Sequence, residues 1–353
     1  MSIWNQGLPT RALVALGLAI ALGVAWVTLD RVSVNVVGQP STTGAIQSQM
    51  ERPFFETLAA STGLPLDVRY RTLDEVGFKD THQLAMLKDG TIDLVSLRFL
   101  QNAAAEPTLQ GIDLPGLNTD FETGRAVVEA YAPVIDRRLQ QRYGVKLLGV
   151  WAFGPQVLFC RKPVKALADL AGLRIRVGGA TFSPVITAAG ATPVTLAFDD
   201  VREALRSGLV DCAVTSSGSA NSAGWPEYAT HSFSLAMQLG LNGYAIRLSV
   251  WNQLSSRQQQ TLQDAFTKHI DAVWDYAREL HDDTSSCNVG GPCRLGKRYH
   301  LVRVEPGEAD VETLRTYMLA GVKQWAQDCD RVYPGCSDEW HARVTPLLKR
   351  QQP

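Results

Sequence analysis

Beyond residue 31 the apolar positions switch repeatedly between two periods. Val32, Val34 and Val36 alternate with Ser33 and Asn35, which predicts a first strand over 32–36, ended by Gly38, Gln39, Pro40 and Ser41. Ile46, Met50, Phe54, Phe55 and Leu58 then recur at helical spacing over 42–61, with Pro53 placed to kink or split the helix. Strands over 66–70, 91–97 and 145–151 alternate with helices over 82–88 and 122–142, the pattern of one α/β lobe. From Gln156 the pattern restarts, with strands over 157–160, 173–177, 192–196 and 210–215 and helices over 182–189 and 199–207. A second α/β lobe follows the first. After a strand over 244–250, Leu254, Leu262, Phe266, Ile270, Val273, Trp274, Ala277 and Leu280 mark one apolar face, with Ser255 and Gln258 as a capping box. A helix over 256–283 is about 42 Å long, enough to reach both lobes.

Two short lobes suit a chain of 353 residues. Its 45% hydrophobic and 20% charged residues exclude a disordered chain and a multi-span membrane protein, and 34 Lys+Arg against 35 Asp+Glu exclude a generally basic nucleic-acid binder. One segment stands apart. Residues 12–29 carry no charge, follow Arg11 and contain Gly23, Val24 and Ala25 as a cleavage site, so residues 1–31 read as an export signal or a single membrane anchor. The cysteines fit the same oxidising compartment. Cys287 and Cys293 bracket one Gly/Pro-rich loop and Cys329 and Cys336 another, the spacing of two short-loop disulfides. A single all-thiolate zinc site is the rival, although five and six residues intervene where zinc ligand pairs have two to four. No other metal site and no cofactor is expected. Cys160 and Cys212 lie in apolar strand-like runs and read as buried free thiols.

Candidate chemistry centres on the strand over 173–177, where Leu173, Ile175 and Val177 share one face and Arg174 and Arg176 the other, with Gly178 and Gly179 following. A guanidinium near a strand end, beside glycines that admit a ligand to the backbone, can hold a carboxylate through two parallel hydrogen bonds. The surrounding run carries more: Pro163-Val164, Asp169-Leu-Ala-Gly-Leu-Arg-Ile-Arg-Val177, Gly190-Ala-Thr-Pro-Val194, Phe198-Asp-Asp-Val-Arg-Glu-Ala-Leu205 and Ser207-Gly-Leu-Val-Asp211. In order and spacing it resembles the central signature of TRAP-transporter solute-binding proteins of the DctP type. Lys88-Asp-Gly-Thr-Ile-Asp93 and the long helix after Trp251 extend the resemblance over nearly all of the exported part.

The resemblance implies a type II-like periplasmic binding protein fold: two α/β lobes joined by crossing hinge strands, braced by a long helix and closing over one small organic anion. Lobe I is expected over 32–153 plus 243–281 and lobe II over 154–242 plus 282–353. Arg176 corresponds to the family's carboxylate-clamping arginine. Two departures bear on the ligand: Gln156 stands where many members have a second pocket arginine, and Thr215, Ser216 and Ser217 stand where many have an asparagine. Uncharged donors imply a monocarboxylate rather than a dicarboxylate or a sialic acid. The facing wall is expected from Gln39 and Ser41 and from Ser96 and Arg98, at the carboxyl ends of first-lobe strands. Phe153 and Trp225 are expected as apolar walls, with Trp151 a further aromatic candidate. The resemblance further implies TRAP permease subunits, small and large, as membrane partners. The protein itself is expected to be a periplasmic monomer, not an enzyme.

Other motifs carry less. Gly291, Gly296 and Lys297 have phosphate-loop spacing, but Arg298 replaces the required Ser or Thr. The six histidines form no zinc-protease pattern, and no nucleophile elbow is present. The rivals to a transport receptor are a membrane-anchored ligand sensor of the same fold and an exported enzyme using Cys212 or Ser217.

Overall fold

The computed structural model describes residues 31–179 and 182–349. The apolar segment 12–29 lies outside the described residues. Among those described, no helix is long and apolar enough to cross a membrane.

The first half of the chain contributes β1 (Val32–Gly38), β2 (Leu66–Thr72), β3 (Leu94–Arg98) and β4 (Val145–Ala152). Then come β5 (Gln156–Cys160), β6 (Arg174–Val177), β7 (Thr192–Thr195), β8 (Cys212–Ser216), β9 (His231–Phe233), β10 (Leu241–Arg247) and β11 (Val302–Val304). One sheet runs in the order β2-β1-β3-β10-β4 and the other β11-β9-β5-β8-β6-β7. Each builds its own lobe around parallel pairs such as β1 with β3 and β6 with β8, where apolar residues on both faces are covered by helices.

The lobes are joined where β4 passes into β5 and where β9 returns to β10. These two segments bond to each other: Phe153 N donates to Gly240 O at 3.1 Å, Gln156 N to Gln238 O at 2.8 Å and Met237 N to Gln156 O at 3.0 Å.

Six helices bear on the site: α1 (Arg52–Thr62), α2 (Phe121–Tyr143), α3 (Ser217–Ser222), α4 (Ser256–Asn288), α5 (Glu308–Val332) and α6 (Cys336–Lys349). The helix expected over 42–61 is split as Pro53 dictates: a π-helical stretch at Ile46–Glu51 gives way to α1, with Pro53 in the first turn, where its missing N–H is not needed. The expected capping box starts α4, with Ser255 Oγ accepting from Gln258 N and Gln258 Oε1 from Ser255 N. From Leu262 to Leu280 its apolar face is buried in the first core, while its end binds lobe II through Ser285 to Ser217 at 3.0 Å and Asn221 to Asn288 at 2.7 Å.

The C-terminal region corrects one boundary. Leu314 and Met318 of α5 join the second core, but Trp325, Cys329, Cys336, Trp340 and Val344 join the first, so the chain returns to lobe I within α5. Trp325 Nε1 donates to Pro107 O and Trp340 Nε1 to Gly111 O, which fixes that return. Cys287 pairs with Cys293 and Cys329 with Cys336. Cys160 and Cys212, read from sequence as free thiols, form a third disulfide because the antiparallel β5–β8 register sets them directly opposite each other.

Candidate ligand-binding site

A cavity of about 70 Å³ lies between the lobes, against the hinge. Arg98, Phe153, Gln156, Arg176 and Thr215 all line it, so five of the residues singled out in the sequence meet at one place. Its rims are shut. Thr42 donates to Asp199 across the cleft, Ser222 lies against Gly44, and Leu100 against Gly179, where an added Cβ would stand 2.7 Å from the leucine. Gly44 (φ +86°) both turns the chain and leaves room for the opposite lobe.

Arg176 is held rigidly at the end of β6 and is only 4% exposed. Its Nε and Nη2 donate to Leu196 O at 3.1 and 2.9 Å, its Nη1 to Val214 O at 3.3 Å, and it lies beside the rings of Trp225 and Phe198. Those three bonds leave two of the five guanidinium N–H groups, one on each terminal nitrogen. Among the described residues no carboxylate pairs with it. Burial, and then the positive charge of Arg98, push its pKa down to about 9. A buried cation with carbonyls and rings for neighbours is held in a site that favours an incoming anion.

Arg98 differs. Its Nη1 donates to Asp80 at 3.0 Å, and its buried Nε has no hydrogen-bond partner. Burial pulls its pKa down, and Asp80 and Asp199 oppose this. The Arg98–Asp80 pair is therefore neutral overall, whereas Arg176 has no paired carboxylate among the described residues.

The remaining expectations divide. Gln156 borders the cavity, but its amide nitrogen donates to Gly154 O at 2.8 Å and Leu239 O at 3.4 Å, so it braces the hinge and offers its oxygen rather than a donor. Ser216 caps α3, accepting from Ser219 N, and sits behind Thr215. Gln39 and Ser96 bind each other at 2.9 Å beneath the first-lobe wall, and Ser41 is turned outward onto Asp74. Trp225 is fully buried under Arg176 and forms its bed, not the cavity surface, while Trp151 is fully buried in the first core. Alternation along β8 turns Ser216 away from the cleft where Thr215 faces it.

With this geometry in view, the relatives can be compared. The model for DctP, a bacterial extracellular solute-binding protein of family 7, matches residues 74–287, more than half of the chain. The chain belongs to this family. Members of the DctP family bind solutes for transport and are not enzymes. A solute-binding protein of Sulfitobacter sp. is 26% identical over 178 residues, 47% of this chain and 53% of the relative. The C4-dicarboxylate-binding periplasmic protein of Rhodobacter capsulatus is 22% identical over 209 residues, 58% of this chain and 62% of the relative. The chain thus spans between half and two thirds of the length of each of these relatives. An extracytoplasmic solute receptor of Bordetella pertussis that binds pyroglutamic acid superposes with a TM-score of 0.75 at 19% identity, covering 88% of this chain and 99% of that one. The two-lobe architecture is that of TRAP periplasmic binding proteins.

Against the DctP-family pattern the structure adds residues the sequence reading passed over. Thr43, Gln238 and Asn242 line the cavity, and Gln238 Oε1 is buried without a partner. Gln238 and Asn242 are the polar positions in the apolar run Ala236-Met-Gln-Leu-Gly-Leu-Asn242, a contrast legible in the chain. Asp113 also borders the cavity, accepting from Leu241 N at 2.9 Å, Leu239 N at 3.2 Å and Asn118 at 3.1 Å. Burial nonetheless pushes its pKa up to about 6.

Proposed function

We propose that the protein is the extracytoplasmic receptor of a TRAP-type secondary transporter, capturing a small organic monocarboxylate by closing its lobes and presenting it to the small and large permease subunits. The observation that carries this is Arg176: a guanidinium buried between the lobes with no carboxylate of its own. Arg98 is paired with Asp80, and Gln156 stands in place of a second charge, so a single ligand carboxylate matches the one arginine of the cavity that lacks a partner among the described residues. The pyroglutamic acid bound by the Bordetella receptor supports an acid of this size. Ligand stabilises the closed form by touching both lobes, and the permease favours release by binding the open one. Export, or tethering by residues 12–29, places the receptor in the periplasm as a monomer.

The test is a thermal-shift screen of mono- and dicarboxylates, amino acids and aromatic acids. A true ligand at 100 times its dissociation constant stabilises the protein by about 2.7 kcal/mol. A monocarboxylate is expected to score above the matching dicarboxylate. Silence across all organic anions refutes the reading.

A further inference from the structure

The cavity at Arg176 does not end there. It continues into an outer chamber of about 620 Å³, and the two share Leu100, Gln101, Gln110, Arg176, Gly178 and Phe198 as common walls. The inner cavity holds little more than a carboxylate group, whereas the outer one is of ligand size. Its lining is mainly apolar, with Ala103, Pro107, Pro184 and Ala197 among the walls. The charges that border it besides Arg176 are already compensated among the described residues: Asp80 binds Arg98 at 3.0 Å, and Asp328 binds Arg331 at 3.1 Å. A second ligand charge finds no partner there, but hydrocarbon or an aromatic ring does.

The far wall is α5, and at its midpoint stands Gly321. An interior glycine weakens a helix relative to alanine, and it is usually kept where a neighbour comes too close for a side chain. Here nothing lies within 4 Å of where a Cβ would stand. Packing does not require this glycine. It falls where α5 passes from the second core at Met318 to the first at Trp325, and its missing side chain leaves the chamber open.

We infer that the ligand class is an elongated monocarboxylate, its carboxylate on Arg176 and an uncharged, mainly apolar tail lying in the outer chamber against α5. This rests on the assignment of Arg176 as the carboxylate clamp.

Calorimetric titration with a compact acid, pyroglutamate, and two extended ones, 4-phenylbutyrate and octanoate, tests it on the full exported chain. At least one extended acid is expected to bind tenfold or more tightly than pyroglutamate. Gly321→Leu, whose Cβ meets nothing within 4 Å and which takes up part of the chamber, is expected to weaken that extended acid at least tenfold and leave pyroglutamate within twofold. Ala104→Leu, on another wall, makes the same test if the first variant does not fold. A flat series, or equal effects of Gly321→Leu on compact and extended acids, overturns the inference. Arg176→Ala separates the two assignments: where it weakens every acid although the wild-type series is flat, the clamp stands and only the tail is removed, whereas unchanged affinity for all of them removes the clamp itself.

Discussion

The two lobes bring an arginine to one cavity on different foundations. Behind Arg98, the first lobe holds a polar interior: Glu51 accepts from Gln39 N at 2.6 Å, Tyr70 at 2.9 Å and Tyr244 at 3.3 Å. Tyr244 also meets His269 Nε2 at 3.1 Å, and the imidazole stacks on Phe54. Behind Arg176, the second lobe offers Leu158, Ile175, Val177 and Val214, the Cys160–Cys212 disulfide and aromatic rings. The first-lobe cation has its counterion built in, while the second-lobe cation waits for one. The first wall is electrostatically complete without ligand, and the second becomes so only on binding. The difference also divides the vulnerabilities, acid for the first lobe and reductant for the second.

Acid gives the largest expected effect. Burial pulls His269 down to about 3, against about 6.5 in the unfolded chain, so between these values the unfolded chain carries the extra proton and acid favours unfolding. Stability from this residue is present above pH 6.5 and is lost progressively as pH falls from there toward 3, on the order of 3 kcal/mol by pH 4.5. Asp113 works the other way, since with its pKa raised to about 6 its contribution is present at low pH and lost as pH rises through 6. The difference in urea unfolding between wild type and His269→Gln, followed from pH 7.5 to 4.5, isolates the histidine. A constant difference breaks the assignment of acid sensitivity to the first lobe.

Disulfide removal comes next. Cys160–Cys212 closes a separation of 52 residues and Cys287–Cys293 one of 6, so loop entropy gives about 4 kcal/mol for the first and about 2 kcal/mol for the second. The paired Cys→Ala variants are expected to lose stability in that order in chemical denaturation. Equal losses argue that the β5–β8 link does not carry the second lobe.

The smallest effect sharpens the contrast between the arginines. Asp80→Asn removes the built-in counterion, leaving Arg98 as bare as Arg176. Monocarboxylate affinity is expected to rise about tenfold, about 1.4 kcal/mol, and a dicarboxylate to become a measurable ligand. No gain for either acid shows that Asp80 does not set the charge of the site.

Much of this was legible in the chain. The alternation of periods located most strands and the long brace; the strand Leu173 to Val177 with its two glycines offered Arg174 and Arg176, and the family resemblance singled out Arg176. What stayed hidden was made by register and return rather than by local pattern. Cys160 and Cys212 meet only through the pairing of β5 with β8. Gln39 and Ser96 carry the right chemistry at the right strand ends, yet they bind each other because β1 and β3 are neighbours. Glu51 and His269 look like surface residues of helices until the Ile46–Glu51 stretch and α4 are packed over Tyr244. The return of α5 to lobe I depends on tryptophans whose partners lie more than two hundred residues earlier, at Pro107 and Gly111.

The most direct test is calorimetric titration of wild type and Arg176→Ala with the same monocarboxylate, alongside circular dichroism to show that the variant is folded. The account predicts a loss of 30-fold or more in affinity, about 2–5 kcal/mol, with the folded spectrum unchanged. A folded Arg176→Ala protein that binds the acid as tightly as wild type contradicts it.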